Sequence, residues 1–129
     1  MFTRVKLFPL LVALASVGCS GGGPAPFDDP TYDSDKARET LTAALDAWKQ
    51  GKAAQLTRRQ PPIRFLDDDW RAGRQLVSYE LIDPTAPIRP FQGVAVRLSL
   101  RDRRSQELRR EVMYQVALQP GLAVMRSDP

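Results

Sequence analysis

The sequence has no histidine and a single cysteine, Cys19. Without histidine, the commonest zinc ligand and the commonest general base are both missing, so a general base would have to be a carboxylate. One cysteine excludes an intramolecular disulfide. No metal or cofactor is expected. The longest apolar run, Leu7 to Val17, is interrupted by Pro9 and falls well short of the about 20 residues a transmembrane helix needs. Concentrated basic charge is lacking too. The net charge of +4 includes Arg4 and Lys6, and a remainder this mildly basic gives no electrostatic case for nucleic acid.

What is present divides the chain into three. Hydrophobic residues at 43% and charged residues at 26% lie in the ordinary globular range, and the length suits one compact domain. Arg4 and Lys6 form a positive start, and the apolar run after them ends in small residues just before Cys19, the pattern of a secretion signal over residues 1–18. Residues 19–33 are rich in Gly and Pro and lack apolar periodicity, as expected of a flexible linker. Residues 34–129 carry the periodic patterns of a single domain.

The run Ala15-Ser16-Val17-Gly18-Cys19 resembles the lipobox of bacterial lipoproteins. The resemblance implies that the thiol of Cys19 receives a diacylglyceryl group and becomes the new amino terminus, tethering the domain to a membrane. Gly18 fits the pattern, whereas Ser16 stands where the family usually has an aliphatic residue. Ser20 in place of Asp implies, by the same resemblance, the periplasmic face of an outer membrane. The alternative is ordinary cleavage among Gly21 to Ala25.

In the domain, Ala37, Leu41, Ala44, Leu45 and Trp48 recur at helical steps, predicting an amphipathic helix over residues 35–50 that Asp33, Ser34 or Asp35 can cap. A short second helix is expected from Ala53 to Arg59, ended by Pro61-Pro62. Ile63-Arg64-Phe65 allows a short strand. The Leu76 to Ile82 run, apolar on both faces, suggests a central strand. Val94 to Leu100 and Val112 to Leu118 alternate with period two, and Leu122 to Arg126 returns as an edge strand after Pro120-Gly121. The expected class is α+β: one long helix packed on a three- to four-stranded antiparallel meander. This element order resembles the cystatin-like roll, including the nuclear-transport-factor-2-like superfamily. The Trp-x-x-Gly step at Trp70 and Gly73, the strand after it and the closing hairpin resemble small uncharacterised bacterial secreted proteins, which implies no activity.

Few residues offer chemistry. Asp67, Asp68 and Asp69 lack the spacing of a calcium loop and are expected to be a solvated turn, one of them capping at Trp70. Trp48 belongs to the helical stripe and so to the core; Trp70 is less settled. Enzymes of the roll place a His, Asp or Tyr in a pocket, which would leave Glu80 with Tyr79 or Tyr114 to act here, in an isomerase or hydratase type of reaction. The expected roles are structural instead, with tyrosine in the core and Glu80 paired to a surface arginine, so no catalytic residue is assigned. Arg97, Arg101, Arg103, Arg104, Arg109 and Arg110 gather on two strands and their loop. They form either a patch for an anion, such as lipid phosphates, an anionic polymer or an acidic envelope protein, or a solvated hairpin neutralised by Asp102, Glu107 and Glu111. The function expected is a membrane-anchored, non-catalytic binding or structural module. A small-ligand carrier using the concave sheet face is the alternative.

Overall fold

A computed structural model describes residues 29–128 of the chain. The signal segment, Cys19 and the linker as far as Asp28 lie outside the described residues.

The first helix, α1, spans Ser34–Lys49, and Asp33 caps it by accepting a hydrogen bond from the Lys36 N–H at 3.1 Å. Its stripe of Ala37, Leu41, Ala44, Leu45 and Trp48 is buried. The helix stops at Gly51, whose φ of +74° costs a residue without a Cβ nothing. The Gly51 N–H donates to the Trp48 carbonyl and the Lys52 N–H to the Ala47 carbonyl, the paired bonds of a Schellman motif. A 3-10 helix, Ala53–Arg58, follows where a second helix is expected, and Ala53 and Leu56 turn inward from it.

Five strands follow: β1 (Ile63–Leu66), β2 (Gln75–Leu81), β3 (Val94–Arg101), β4 (Glu107–Ala117) and β5 (Leu122–Arg126), with the one-turn helix α2 (Asp68–Arg71) between β1 and β2. The sheet order is β1-β5-β4-β3-β2. Neighbours are antiparallel except β1 and β5, which run parallel from Ile63 opposite Leu122 to Leu66 opposite Met125. The class is α+β, but the sheet is five-stranded and mixed rather than a three- or four-stranded antiparallel meander. The difference is β1. The short Ile63–Leu66 segment buries Ile63 and Phe65 only by closing the free side of β5, so β5 is not an edge strand.

The other correction concerns β2, which is an edge strand and not a central one. A bulge between Leu76 and Ser78 inserts Val77 as an extra residue, returning Tyr79 and Leu81 to the inner face with Leu76. Val77, 36% exposed, is the misleading member of the run. The period-two readings of β3 and β4 hold: Val96, Leu98, Leu100, Val112, Tyr114 and Val116 are buried, while Arg97, Arg101, Arg109 and Glu111 are exposed.

The helix α1 lies across the inner face, where Leu41, Leu45 and Trp48 meet Phe65, Leu98 and Tyr114 in one core. Two bonds pin its beginning. The Tyr32 hydroxyl donates to the Val116 carbonyl at 2.7 Å, and the Ile88 N–H donates to Ser34 Oγ at 2.7 Å. Leu45 is wholly buried, so Leu45→Ala should lower the unfolding free energy by about 2–5 kcal/mol in urea denaturation; a loss under about 0.5 kcal/mol, the size of a surface change, would contradict its place in the core.

Candidate functional site

Buried charge in the domain gathers around α2. Asp67 precedes this helix in extended conformation, and its Oδ1 accepts the N–H groups of Asp69 at 2.7 Å and Trp70 at 3.0 Å. That is an N-cap, as the sequence suggests for one of the three aspartates. The remainder of that expectation is corrected: Asp67 is 1% and Asp69 3% exposed, and only Asp68 faces solvent. The turn is drawn into the protein because each buried acid has a cation to meet.

That cation is Arg126, at the end of β5. Its Nη1 lies 2.8 Å from Asp69 Oδ2 and 3.3 Å from Asp67 Oδ1, and its Nε donates to Asp128 Oδ1 at 2.5 Å. The Tyr114 hydroxyl donates to Asp67 Oδ2 from the neighbouring strand in a short hydrogen bond. At the rim, Asp69 Oδ1 meets Arg74 at 2.9 Å and Arg110 at 3.7 Å. Burial works against the charge of Arg126, but the hydrogen bonds to Asp128 and Asp69 and the field of Asp67 overcome it and raise its pKa. Burial first, then the charge of Asp67 and its hydrogen bond, push the Tyr114 hydroxyl far above the usual tyrosine range and keep it a donor.

All four carboxylate oxygens of Asp67 and Asp69 are engaged. Asp67 holds two backbone N–H groups, a hydroxyl and a guanidinium, and the cation among Asp67, Asp69 and Asp128 is the guanidinium itself. Four surface cavities among the described residues, of 230–350 Å³, have other linings, in which neither buried aspartate, Tyr114 nor Arg126 appears. The arrangement can fix α2 against β4 and β5.

One feature of the sequence points to this network. Arg126 lies in phase with Leu122 and Val124, and Arg110 in phase with Leu108 and Val112, so both arginines occupy inward positions of their strands. A charged residue in a core phase demands a buried partner. The Trp-x-x-Gly step also gains a meaning. Gly73, at φ +84°, ends α2 as Gly51 ends α1: its N–H donates to the Trp70 carbonyl, and the Arg74 N–H donates to the Asp69 carbonyl. Both tryptophans then pack on Phe65, with ring centroids 5.8 Å away for Trp48 and 5.4 Å for Trp70.

The six arginines singled out in the sequence separate into three settings. Arg97 lies 3.5 Å from Glu80, and Arg101 3.9 Å from Glu107, all with exposed side chains. Arg110 turns to the inner face and Asp69. Arg103, Arg104 and Arg109 are exposed, and none of them forms an ion pair among the described residues. The expected neutralisation is therefore incomplete. Asp102 spends its carboxylate on the loop backbone, accepting the Arg104 N–H at 2.8 Å and the Gln106 N–H at 2.9 Å. Glu111 stands across the ladder from Arg97. Of the groups weighed for catalysis, Glu80 meets Arg97 on the outer face, Tyr79 donates to Asp46 of α1 at 2.7 Å, and Tyr114 belongs to the buried network. Comparisons of the chain with protein-family models, with curated proteins and with solved structures find no match.

Removing one partner of a buried ion pair costs about 3–5 kcal/mol, and a hydrogen bond to a charged acceptor contributes about 1.5–3 kcal/mol. Asp67→Asn should therefore destabilise the domain more than Tyr114→Phe, and the double variant should lose less than their sum because they share one carboxylate. Strict additivity in urea denaturation would contradict the network. The tyrosines give a second test. Burial pushes Tyr32 up to about 12 and, more than its bond to Asp46 does, raises Tyr79 too, as it raises Tyr114. Folded values above the unfolded one mean that this stabilisation is intact below about pH 10 and is lost as pH rises toward the folded values. Tyrosinate absorbance should stay silent near pH 10 and appear at higher pH with unfolding; a tyrosine titrating normally in the folded protein would refute its placement.

Proposed function

We propose that the chain is a lipid-anchored binding module of a bacterial envelope, held by Cys19 at the periplasmic face of the outer membrane and non-catalytic in itself. The lipobox-like run before Cys19 supports the anchor, and Ser20 supports the outer membrane. The order of elements, one long helix against a sheet in which the first strand closes on the last, supports assignment to the cystatin-like or nuclear-transport-factor-2-like rolls.

The observation that carries a binding role is the direction in which the chemistry faces. The inner face of the sheet, which a carrier or an enzyme of this roll would use, is filled by Leu41, Leu45, Trp48 and Phe65, and the buried carboxylates there are engaged with Arg126 and Tyr114. Three exposed guanidinium groups that form no ion pair among the described residues, those of Arg103, Arg104 and Arg109, stand together on the outside, on the β3–β4 hairpin. Groups that must meet another molecule belong there.

The tether is tested by Cys19→Ala. The native chain should partition with membranes as a processed, acylated form, because two or more acyl chains anchor stably where one does so marginally. The variant should accumulate unprocessed or leave the membrane fraction, as read by fractionation and mass spectrometry of the amino terminus. Unchanged processing and partition in the variant would overturn the anchor.

A further inference from the structure

The β3–β4 hairpin forms an arm of the sheet that β2 flanks along β3 but that β5 does not reach on the β4 side. β4 runs from Glu107 to Ala117, but β5 covers only Tyr114–Ala117 of it. The half from Glu107 to Val112 pairs with β3 alone, over about 20 Å at the rise of an antiparallel strand. Arg97, Arg101 and Arg109 project from the outer face of this arm, and Arg103 and Arg104 from its loop. Arg103 lies flat against the turn at Gly73, so close that a Cβ there would stand 2.8 Å from its guanidinium.

These charges are available to a partner. Arg103, Arg104 and Arg109 have no carboxylate to give up among the described residues. The Arg97–Glu80 and Arg101–Glu107 pairs are exposed on both sides, and pairs of that kind are worth only about 0–1 kcal/mol. An incoming anion exchanges them at small cost, and a guanidinium fork matches phosphate and carboxylate oxygens two at a time.

The position of the arm narrows the partner. The described chain begins at Asp29, and Tyr32 pins it to Val116, at the end of β4 opposite the hairpin. The end of the domain nearest a tether is therefore the one opposite the arginine arm. The arm carries charge on one face and around its tip, whereas a bilayer would meet a single plane. A chain molecule can follow both surfaces.

We infer that the arm binds a flexible polyanion, a polymer carrying phosphate or carboxylate groups along its length, through Arg101, Arg103, Arg104 and Arg109. The orientation away from the membrane rests on the proposed tether; the binding does not. The test uses the full chain in detergent with fluorescent polyphosphate and polyglutamate, and vesicles of phosphatidylglycerol and phosphatidylcholine. The native protein should bind one polymer or both, the choice distinguishing phosphate from carboxylate, with affinity falling steeply as salt rises. Arg103→Glu/Arg104→Glu should weaken binding by at least about tenfold, and so should Arg104→Glu/Arg109→Glu, which leaves the Gly73 contact intact. Arg58→Glu/Arg59→Glu, the same charge change elsewhere, should have little effect. Equal losses in all three variants, binding to vesicles but to neither polymer, or no binding at all would each overturn the inference. Because the polymers are offered in detergent, failure of the anchor in Cys19→Ala leaves this result unaffected, and the two readings fail separately.

Discussion

The guanidinium of Arg126 joins parts of the chain that hydrophobic contact alone would leave loosely related. Through Asp67 and Asp69 it holds α2, through Asp128 it holds the segment after β5, and through Asp67 it reaches the hydroxyl of Tyr114 on β4. Apolar burial is indifferent to direction, but a planar fork between carboxylates is not. The desolvation cost of such a group means that the network adds less to stability than its number of bonds suggests. Its contribution is to position: α2 sits at one place on the sheet, and Trp70 is delivered to Phe65. We regard this as the constraint that makes the end of the sheet a defined surface on which an arm can be mounted.

The parts of the fold that were legible in the sequence are those with local periodicity. The stripe from Ala37 to Trp48 and the alternations of β3 and β4 repeat within one element, so their burial follows from neighbours a few residues away. The parallel pairing of β1 with β5 joins residues 59 positions apart at Ile63 and Leu122, and nothing within either segment announces the other. The bulge at Val77 defeated the period-two rule in β2 by adding one residue. The aspartates at 67 to 69 were misplaced for a related reason: a carboxylate is assigned to solvent by default, and the default fails only if a distant arginine is already in a core phase.

The six arginines show the same limit from the other side. Their clustering was visible, but which of them are engaged depends on the ladder. Arg110 alternates inward and serves the buried network, Arg97 and Arg101 face weakly held glutamates, and Asp102, a partner in the sequence, is occupied by its own loop. Charge along a chain thus divides into groups that organise the interior and groups left for the exterior, and only the three-dimensional register makes the division.

The parallel contact of β1 with β5 also imposes an order in time. β1 and α2 are made early, yet both the strand that covers one and the arginine that neutralises the other lie in β5, after the whole β2–β4 meander. Contacts so distant in sequence close slowly, because loop entropy is lost before they contribute. A chain in which β5 has not yet docked holds Asp67 and Asp69 with no Arg126 to receive them, so the domain stays open until its last strand is in place.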